Sequence, residues 1–194
     1  MYIIFFKNLI YFHENKGYRN IFIIDNESTN KGISASTGKF IGIINSDDWY
    51  ETDVFKNILD LFKKSQYDIV CGLLRLWEDD VILGIQGNTE KFLKYGMISH
   101  PTCFIKRDVY ESIGLFNTEY KIAGDYDFMM ICLNNNYKFI FSEMIIANFR
   151  LSGISNSNSN LRICEFYEIQ QKNKLITFRK YLFEILKQKF KKFF

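Results

Sequence analysis

Two pairs of carboxylates carry the chemistry that this sequence offers. The first is Asp47-Asp48, reached through Asn45-Ser46 from the apolar run Phe40-Ile41-Gly42-Ile43-Ile44 and followed by Trp49-Tyr50. Adjacent carboxylates repel unless a cation or a hydrogen-bond network offsets their charge. A hard divalent ion with oxygen ligands, Mg²⁺ or Mn²⁺, is the economical partner. The plain alternative is a turn before a helix, with Asp48 or Asp53 as its cap. The second pair is Asp125 and Asp127, at the predicted start of a helix in Gly124-Asp125-Tyr126-Asp127. There capping competes with chemistry, because unpaired N–H groups and the helix dipole favour Asp in a first turn. A third acidic pair, Asp79-Asp80, sits in a polar turn with no buried strand leading in and reads as solvated.

The elements that must position these groups follow from hydrophobic pattern. The run over residues 40–44 is rich in β-branched residues and lacks polar alternation, which predicts a strand buried on both faces of a parallel sheet. Ligands of open α/β sheets bind outside the carboxyl ends of the strands, where Asp47 and Asp48 fall. Ile21-Phe22-Ile23-Ile24 predicts a second such strand, ending in Asp25-Asn26-Glu27-Ser28-Thr29. Helices are expected over residues 5–15, 33–37 and 52–65, the last with Val54, Phe55, Ile58, Leu59 and Phe62 on one face. Further strands are expected over 68–72, 102–106, 137–141 and 145–151, with a hairpin or two edge strands formed by 73–77 and 81–85. Short helices fit 89–95 and 108–113, and a longer one 124–133, stopped by Asn134-Asn135-Asn136. Residues 152–160 form a Ser/Asn-rich loop, and a basic helical tail follows.

Composition narrows the class. At 194 residues, 47% hydrophobic and 18% aromatic, the chain fits one domain with a real core and not a disordered segment. Cys71, Cys103, Cys132 and Cys164 are isolated, without metal-binding spacing, as expected for reduced thiols in a cytoplasmic protein. No apolar stretch is long enough to span a membrane, and the start lacks the basic region of a signal peptide. The net charge of +3 hides a split: residues 161–194 hold nine Lys/Arg against three Glu, leaving 16 basic against 19 acidic residues elsewhere. Basicity confined to a tail, with no nucleic-acid motif, argues against a nucleic-acid partner.

Four patches in order resemble the family 2 glycosyltransferases of the GT-A fold, in particular those of bacterial surface-polysaccharide synthesis. Ile24 to Thr29 is similar to the family's "VDDGSTD" turn in its "DN" variant. Asn30-Lys31-Gly32-Ile33 through Asp48 looks like "NKGIxxATGxxIxFLNSDD". Ile98-Ser99-His100-Pro101 through Phe116 resembles "ISHxxxFxxRxxYxxIGxFD". Ile122 to Phe128 resembles "IAADYDL", and Phe149 to Ser155 the "FRxxGIS" end. The resemblance implies an α/β, Rossmann-like sheet flanked by helices over residues 1–155, with 156–194 as loop and basic helical tail. It implies transfer of a sugar from a nucleoside diphosphate sugar to an acceptor hydroxyl, with inversion, in cell-surface polysaccharide or glycan synthesis. In that reading Asp48, with Asp47, holds Mg²⁺ or Mn²⁺ on the departing diphosphate, and Asp47 also reaches the donor's ribose. Asp125 is the base and Asp127 its reserve or a structural cap. Asp25 and Asn26 lie near the nucleotide base, and His100 reaches the diphosphate or acceptor. Trp49 and Tyr50 line the sugar pocket or fill the core.

The sequence departs from that pattern in three places. Gly124 stands where the family often has Glu. The usual opening strand is not recognisable before Ile21, so the domain reads as shortened at its N-terminus. Tyr2-Ile3-Ile4-Phe5-Phe6 has the composition to replace that strand. The helix and short strand that usually separate the first two patches are missing, so these nearly abut. A truncated, non-catalytic relative acting as a binding or assembly subunit is therefore the alternative. Loss of a central strand would expose unpaired edges that a second copy of the chain or another protein could complete. The tail interleaves apolar side chains with Lys and Arg. That pattern suits contact with an anionic membrane on the inner face, near a saccharide or lipid-linked acceptor, or a helix packed on the domain with its lysines in water.

Overall fold

The computed structural model describes residues 3–5, 19–21, 26–45, 47–64, 66–151 and 159–190. The described residues form a mixed α/β fold around a sheet of eight strands. These are β1 (Ile3–Phe5), β2 (Arg19–Ile21), β3 (Phe40–Ile43), β4 (Trp49–Tyr50), β5 (Ile69–Glu78), β6 (Val81–Gln86), β7 (Phe104–Lys106) and β8 (Phe139–Arg150). The order across the sheet is β2-β1-β3-β7-β5-β8-β4, with β6 paired to β5. The helices are α1 (Asn26–Ala35), α2 (Val54–Lys64), α3 (Arg107–Ile113), α4 (Gly124–Asn134), α5 (Ser159–Lys172) and α6 (Phe178–Phe190). Two 3₁₀ turns, Glu90–Lys94 and His100–Thr102, precede β7.

The predicted central strand is present as β3, but the sheet around it is mixed. β3 runs parallel to β1 and antiparallel to β7. Over most of their length the strands alternate between two cores, as strand geometry requires. Ile41, Ile69, Cys71, Cys103 and Ile105 face one cluster, which takes in Ile33, Tyr110, Tyr126, Phe128 and Ile169 from α1, α3, α4 and α5. Val70, Leu74, Phe104, Ile146 and Ala147 face the other, closed by Val54, Ile58 and Phe62 of α2. The amphipathic face read from residues 52–65 is the face that α2 buries.

Several boundaries differ from expectation for local reasons. The strands expected over 68–72 and 73–77 are one long strand, β5 (Ile69–Glu78), and those expected over 137–141 and 145–151 are one strand, β8 (Phe139–Arg150); the two pair in parallel along their length. What pattern reading took for breaks is a pair of register shifts between Cys71 and Leu74. Gly72 permits them, since a Cβ there would meet Ile146 Cδ1 at 2.6 Å and the Met144 carbonyl at 2.8 Å. The expected hairpin is β5–β6, its turn exposing Asp79 and Asp80. The two motifs that nearly abut in sequence merge into α1, which begins at Asn26 instead of Ile33. Ile3–Phe5 is a strand, held between β2 and β3. The helix expected over 5–15 beyond Phe5, the strand residues 22–24 and the loop residues 152–158 lie outside the described residues. α5, grouped with the tail in sequence, packs into the first core through Ile169.

Candidate active site

β3 ends at Ile43, and Ile44 is still buried, so Asn45, Asp47 and Asp48 emerge at the carboxyl end of the strand. Trp49–Tyr50 then pairs antiparallel with Asn148 and Ala147, which carries Asp48 against the end of β8. The Arg150 backbone N–H donates to Asp48 Oδ1 at 2.9 Å, and Asn45 Nδ2 donates to Oδ2 at 2.9 Å. The carboxylate is 3% exposed. Burial raises its pKa from 3.8 to about 6, against the two hydrogen bonds, and the neighbouring Asp47 charge adds to the rise. Asp48 has no ion-pair partner among the described residues. The Arg150 guanidinium lies over the Trp49 ring at 5.1 Å and donates to the Asp79 carbonyl.

This donor set fits a divalent cation. Each Asp48 oxygen accepts one protein hydrogen bond and keeps a lone pair, and Asp47 beside it is exposed. A cation there would offset the burial cost that raises Asp48. No cluster of three or more His, Cys, Asp or Glu ligands forms among the described residues. The remaining ligands would therefore be water or phosphate oxygens, the usual completion of a Mg²⁺ shell.

The second site opens α4. Asp125 is half-buried, and its Oδ1 accepts the backbone N–H of Tyr126 at 2.7 Å. Burial raises its pKa; the nearby His100 opposes the rise and the Glu165 charge adds to it. His100 starts the 3₁₀ turn before β7, its ring edge-on to Phe116 with centroids 5.8 Å apart. Burial lowers the His100 pKa, with Asp125 pulling the other way. Its Nε2 is buried without a hydrogen-bond partner among the described residues. Burial raises the pKa of Cys103, with the Asp125 charge adding to it, and burial raises that of Tyr50, with Asp48 adding to it.

Other predicted residues fall elsewhere. Asp127, 2% exposed, points to the α5 side and accepts Lys172 Nζ at 3.1 Å, so its carboxylate is engaged in an ion pair with α5. Asn26 is directed to α4: its Nδ2 donates to the Tyr120 carbonyl and, at 3.5 Å, to that of Asn117. Its amide sits where a side chain on residue 124 would begin, since a Cβ on Gly124 would lie 2.7 Å from Asn26 Cγ and 2.9 Å from Oδ1. Gly at the position where the family often has Glu is thus matched by Asn26. One turn on, Asn30 exchanges two hydrogen bonds with the Phe116 backbone, 2.8 and 2.9 Å. Asp25 lies outside the described residues. Tyr50 belongs to the second core beside Phe55 and Phe104, its hydroxyl without a hydrogen-bond partner among the described residues. Trp49 packs on Trp77 at the surface, centroids 5.6 Å apart.

Sequence reasoning missed Asn45 and Arg150, which hold Asp48, and Glu165 and Lys172, which reach α4 from α5. Asn45 lay within a quoted motif, two residues before the pair, and was legible there. Glu165 and Lys172 lay in a stretch read as a basic tail, where nothing local marks an inward-facing charge.

Comparison with known proteins supplies context for this geometry. The family model for glycosyl transferase family 2 matches residues 12–133. A PGL/p-HBAD biosynthesis glycosyltransferase of Mycobacterium tuberculosis is 24% identical over 135 residues, covering 68% of this chain and 53% of that protein. An uncharacterized glycosyltransferase of Methanocaldococcus jannaschii is 24% identical over 182 residues, covering 83% of this chain and 61% of its own length. The chain thus spans about half the length of the first of these relatives. Among solved structures, residues 1–349 of Staphylococcus aureus TarS superpose with a TM-score of 0.61 at 10% identity, covering 98% of this chain and 72% of that one. The same protein in complex with UDP-GlcNAc gives 0.59 at 15% identity, over 78% of this chain and 48% of that one. At these identities the likeness is one of fold, the GT-A architecture.

Proposed function

The chain belongs to glycosyl transferase family 2, and on that footing we propose that it transfers a sugar from a nucleoside diphosphate sugar to an acceptor hydroxyl with inversion. The observation that carries the reading is Asp48. It is a buried carboxylate at the carboxyl end of β3, raised toward neutrality by burial and lacking an ion-pair partner among the described residues. Asp48 and Asp47 would hold the divalent cation. When bound, that cation offsets the charge gathering on the departing diphosphate. Asp125 accepts the acceptor's hydroxyl proton as its oxygen forms a bond to the anomeric carbon, while the bond from that carbon to the diphosphate breaks and its electron pair leaves with the nucleotide. Its raised pKa suits this task, since a base works best when its proton affinity approaches the operating pH. His100, uncharged in its buried position, offers a nitrogen to the acceptor or the diphosphate.

The TarS complexes with UDP and UDP-GlcNAc support a uridine donor. The mycobacterial relative is named for PGL/p-HBAD biosynthesis, which supports a biosynthetic role here; the acceptor we assign is a saccharide or lipid-linked one, in cell-surface polysaccharide or glycan synthesis. Among the described residues no helix is long and apolar enough to cross a membrane. α6, however, exposes Phe178, Leu182, Phe183 and Leu186, which suits an enzyme resting on the inner membrane face. The reading is tested by titrating UDP and GDP into the protein calorimetrically, with and without Mn²⁺, alongside Asp48→Asn. Metal-dependent binding lost in the variant is expected. A folded protein that binds no nucleotide would instead leave the non-catalytic alternative.

A further inference from the structure

We propose that Glu165, on α5, is a positioning residue for the base: its carboxylate fixes the backbone leading into α4 and so sets where the Asp125 carboxylate lies. The proposal rests on the reading of Asp125 as the base.

Three successive backbone N–H groups converge on this one side chain. Lys121 N–H donates to Glu165 Oε1 at 2.9 Å, and Ile122 and Ala123 donate to Oε2 at 2.9 and 2.8 Å. Successive N–H groups aimed at one point form an anion-holding nest, and a carboxylate in it makes charge-assisted bonds of about twice the ordinary strength. The carboxylate is 6% exposed. Ala123, the residue before the helix, has no side chain able to cap it. The anchoring oxygen atoms therefore come from another element, more than forty residues further on.

α5 is itself held in register along α4. Phe166 stacks on Tyr126 with centroids 4.6 Å apart, and Lys172 meets Asp127. Ile169 is buried in the shared core, and Gln170 Nε2 donates to the Tyr95 carbonyl at 3.1 Å. The segment 116–123 is thus gripped from both sides, by Asn26 and Asn30 of α1 and by Glu165 of α5. Asp125 follows that segment by two residues, so a loosened segment tilts the first turn of α4 and moves the carboxylate. The charged and titratable groups facing Asp125 are His100, Cys103 and Glu165. Of these, Glu165 acts to raise the Asp125 pKa, whereas His100 acts to lower it.

The test uses the full chain with Glu165→Gln and Glu165→Ala. Glu165→Gln keeps the volume but removes the charge and presents an N–H₂ to one of the three donors. Its Asp125 carboxyl, followed by carbon-13 NMR, is expected to titrate at lower pH than in the parent. Exchange of the Lys121, Ile122 and Ala123 amides is expected to quicken at least tenfold in Glu165→Ala, or in Glu165→Gln should the alanine variant fail to fold. With UDP-GlcNAc as probe, UDP release is expected to drop at least tenfold while the affinity for UDP stays within twofold. The acid limb of the rate profile should move down in Glu165→Gln. An unmoved Asp125 titration together with unchanged exchange at the three amides would overturn the proposal. Absence of turnover in the parent chain would count against the transferase reading only, because the NMR and exchange results decide the positioning claim without it.

Discussion

Placing any side chain at residue 124 should damage this protein, and the damage should vanish when Asn26 is shortened. Gly124 opens α4, and a Cβ added there would come within 2.9 Å of both Cγ and Oδ1 of Asn26. The helix backbone has no slack at this point, because the N–H groups before it are bound by Glu165 and the Asp127 N–H by the Ala123 carbonyl. In Gly124→Ala the Asn26 amide must therefore swing away and give up its bond to the Tyr120 carbonyl. Losing that bond costs about 1 kcal/mol, and residual crowding about 1–3 kcal/mol. Replacing glycine at a helix start returns less than about 1 kcal/mol. The balance is a loss of about 2 kcal/mol, a fall of about 4–8 °C in Tm for a chain of this size. Urea unfolding followed by circular dichroism measures it in the parent, in each single variant and in the double variant Asn26→Ala/Gly124→Ala. Asn26→Ala removes all three of the atoms that crowd the new Cβ. In that background Gly124→Ala should cost almost nothing, leaving a coupling of about 1–2 kcal/mol. Additive losses would refute the claim that Asn26 and Gly124 are matched to one another.

Three further outcomes are expected. Because the Asp48 pKa is raised from 3.8 to about 6, the folded state keeps a proton that the unfolded chain releases between those values. Stability should fall by about 3 kcal/mol as pH rises from about 4 to about 6 and then level off. Asp48→Asn should abolish that slope in urea melts at stepped pH, and a slope surviving intact would assign it to another group. Asp125→Asn should lower transferase turnover by about 10²–10⁴, whereas Lys172→Met should leave turnover near normal and cost about 1–3 kcal/mol by stranding the buried Asp127; equal losses of turnover would make Asp127 a second base. Replacing Phe178, Leu182, Phe183 and Leu186 together by Ser should lower partitioning onto anionic vesicles at least tenfold in flotation, with the fold kept because these side chains are exposed; unchanged partitioning would remove α6 as the membrane contact.

What could be read from the sequence was what depends on neighbours in the chain. The run 40–44 gave β3, the stripe over 54–62 gave α2, and both acidic pairs stood at element ends because those ends are marked locally by Gly, Asn and a change of period. Direction of pairing was not legible: nothing in Phe104-Ile105-Lys106 says that it returns antiparallel beside β3. The register shifts at Cys71–Leu74 imitated strand breaks, because an irregularity and a turn interrupt alternation in the same way. The division of labour between Asp125 and Asp127 was equally hidden. Both sit in the first turn of α4, and only Lys172, 45 residues on, separates the buried ion pair from the carboxylate that faces His100.

The departures from the family pattern become intelligible as one arrangement. An acidic side chain at residue 124 would have contributed charge beside Asp125 and filled the space ahead of α4. With glycine there, the space is filled by Asn26, whose amide adds hydrogen bonds to the same loop instead of charge. The merging of the first two motifs into α1 puts Asn26 and Asn30 one turn apart on one helix face, so both reach the segment 116–120. A negative charge near Asp125 is still present, but Glu165 supplies it from α5 through the three N–H groups of the entering loop. The group that accepts the three N–H bonds of the loop also acts to raise the Asp125 pKa, so under the proposed role of Asp125 one side chain would bear on both its placement and its proton affinity.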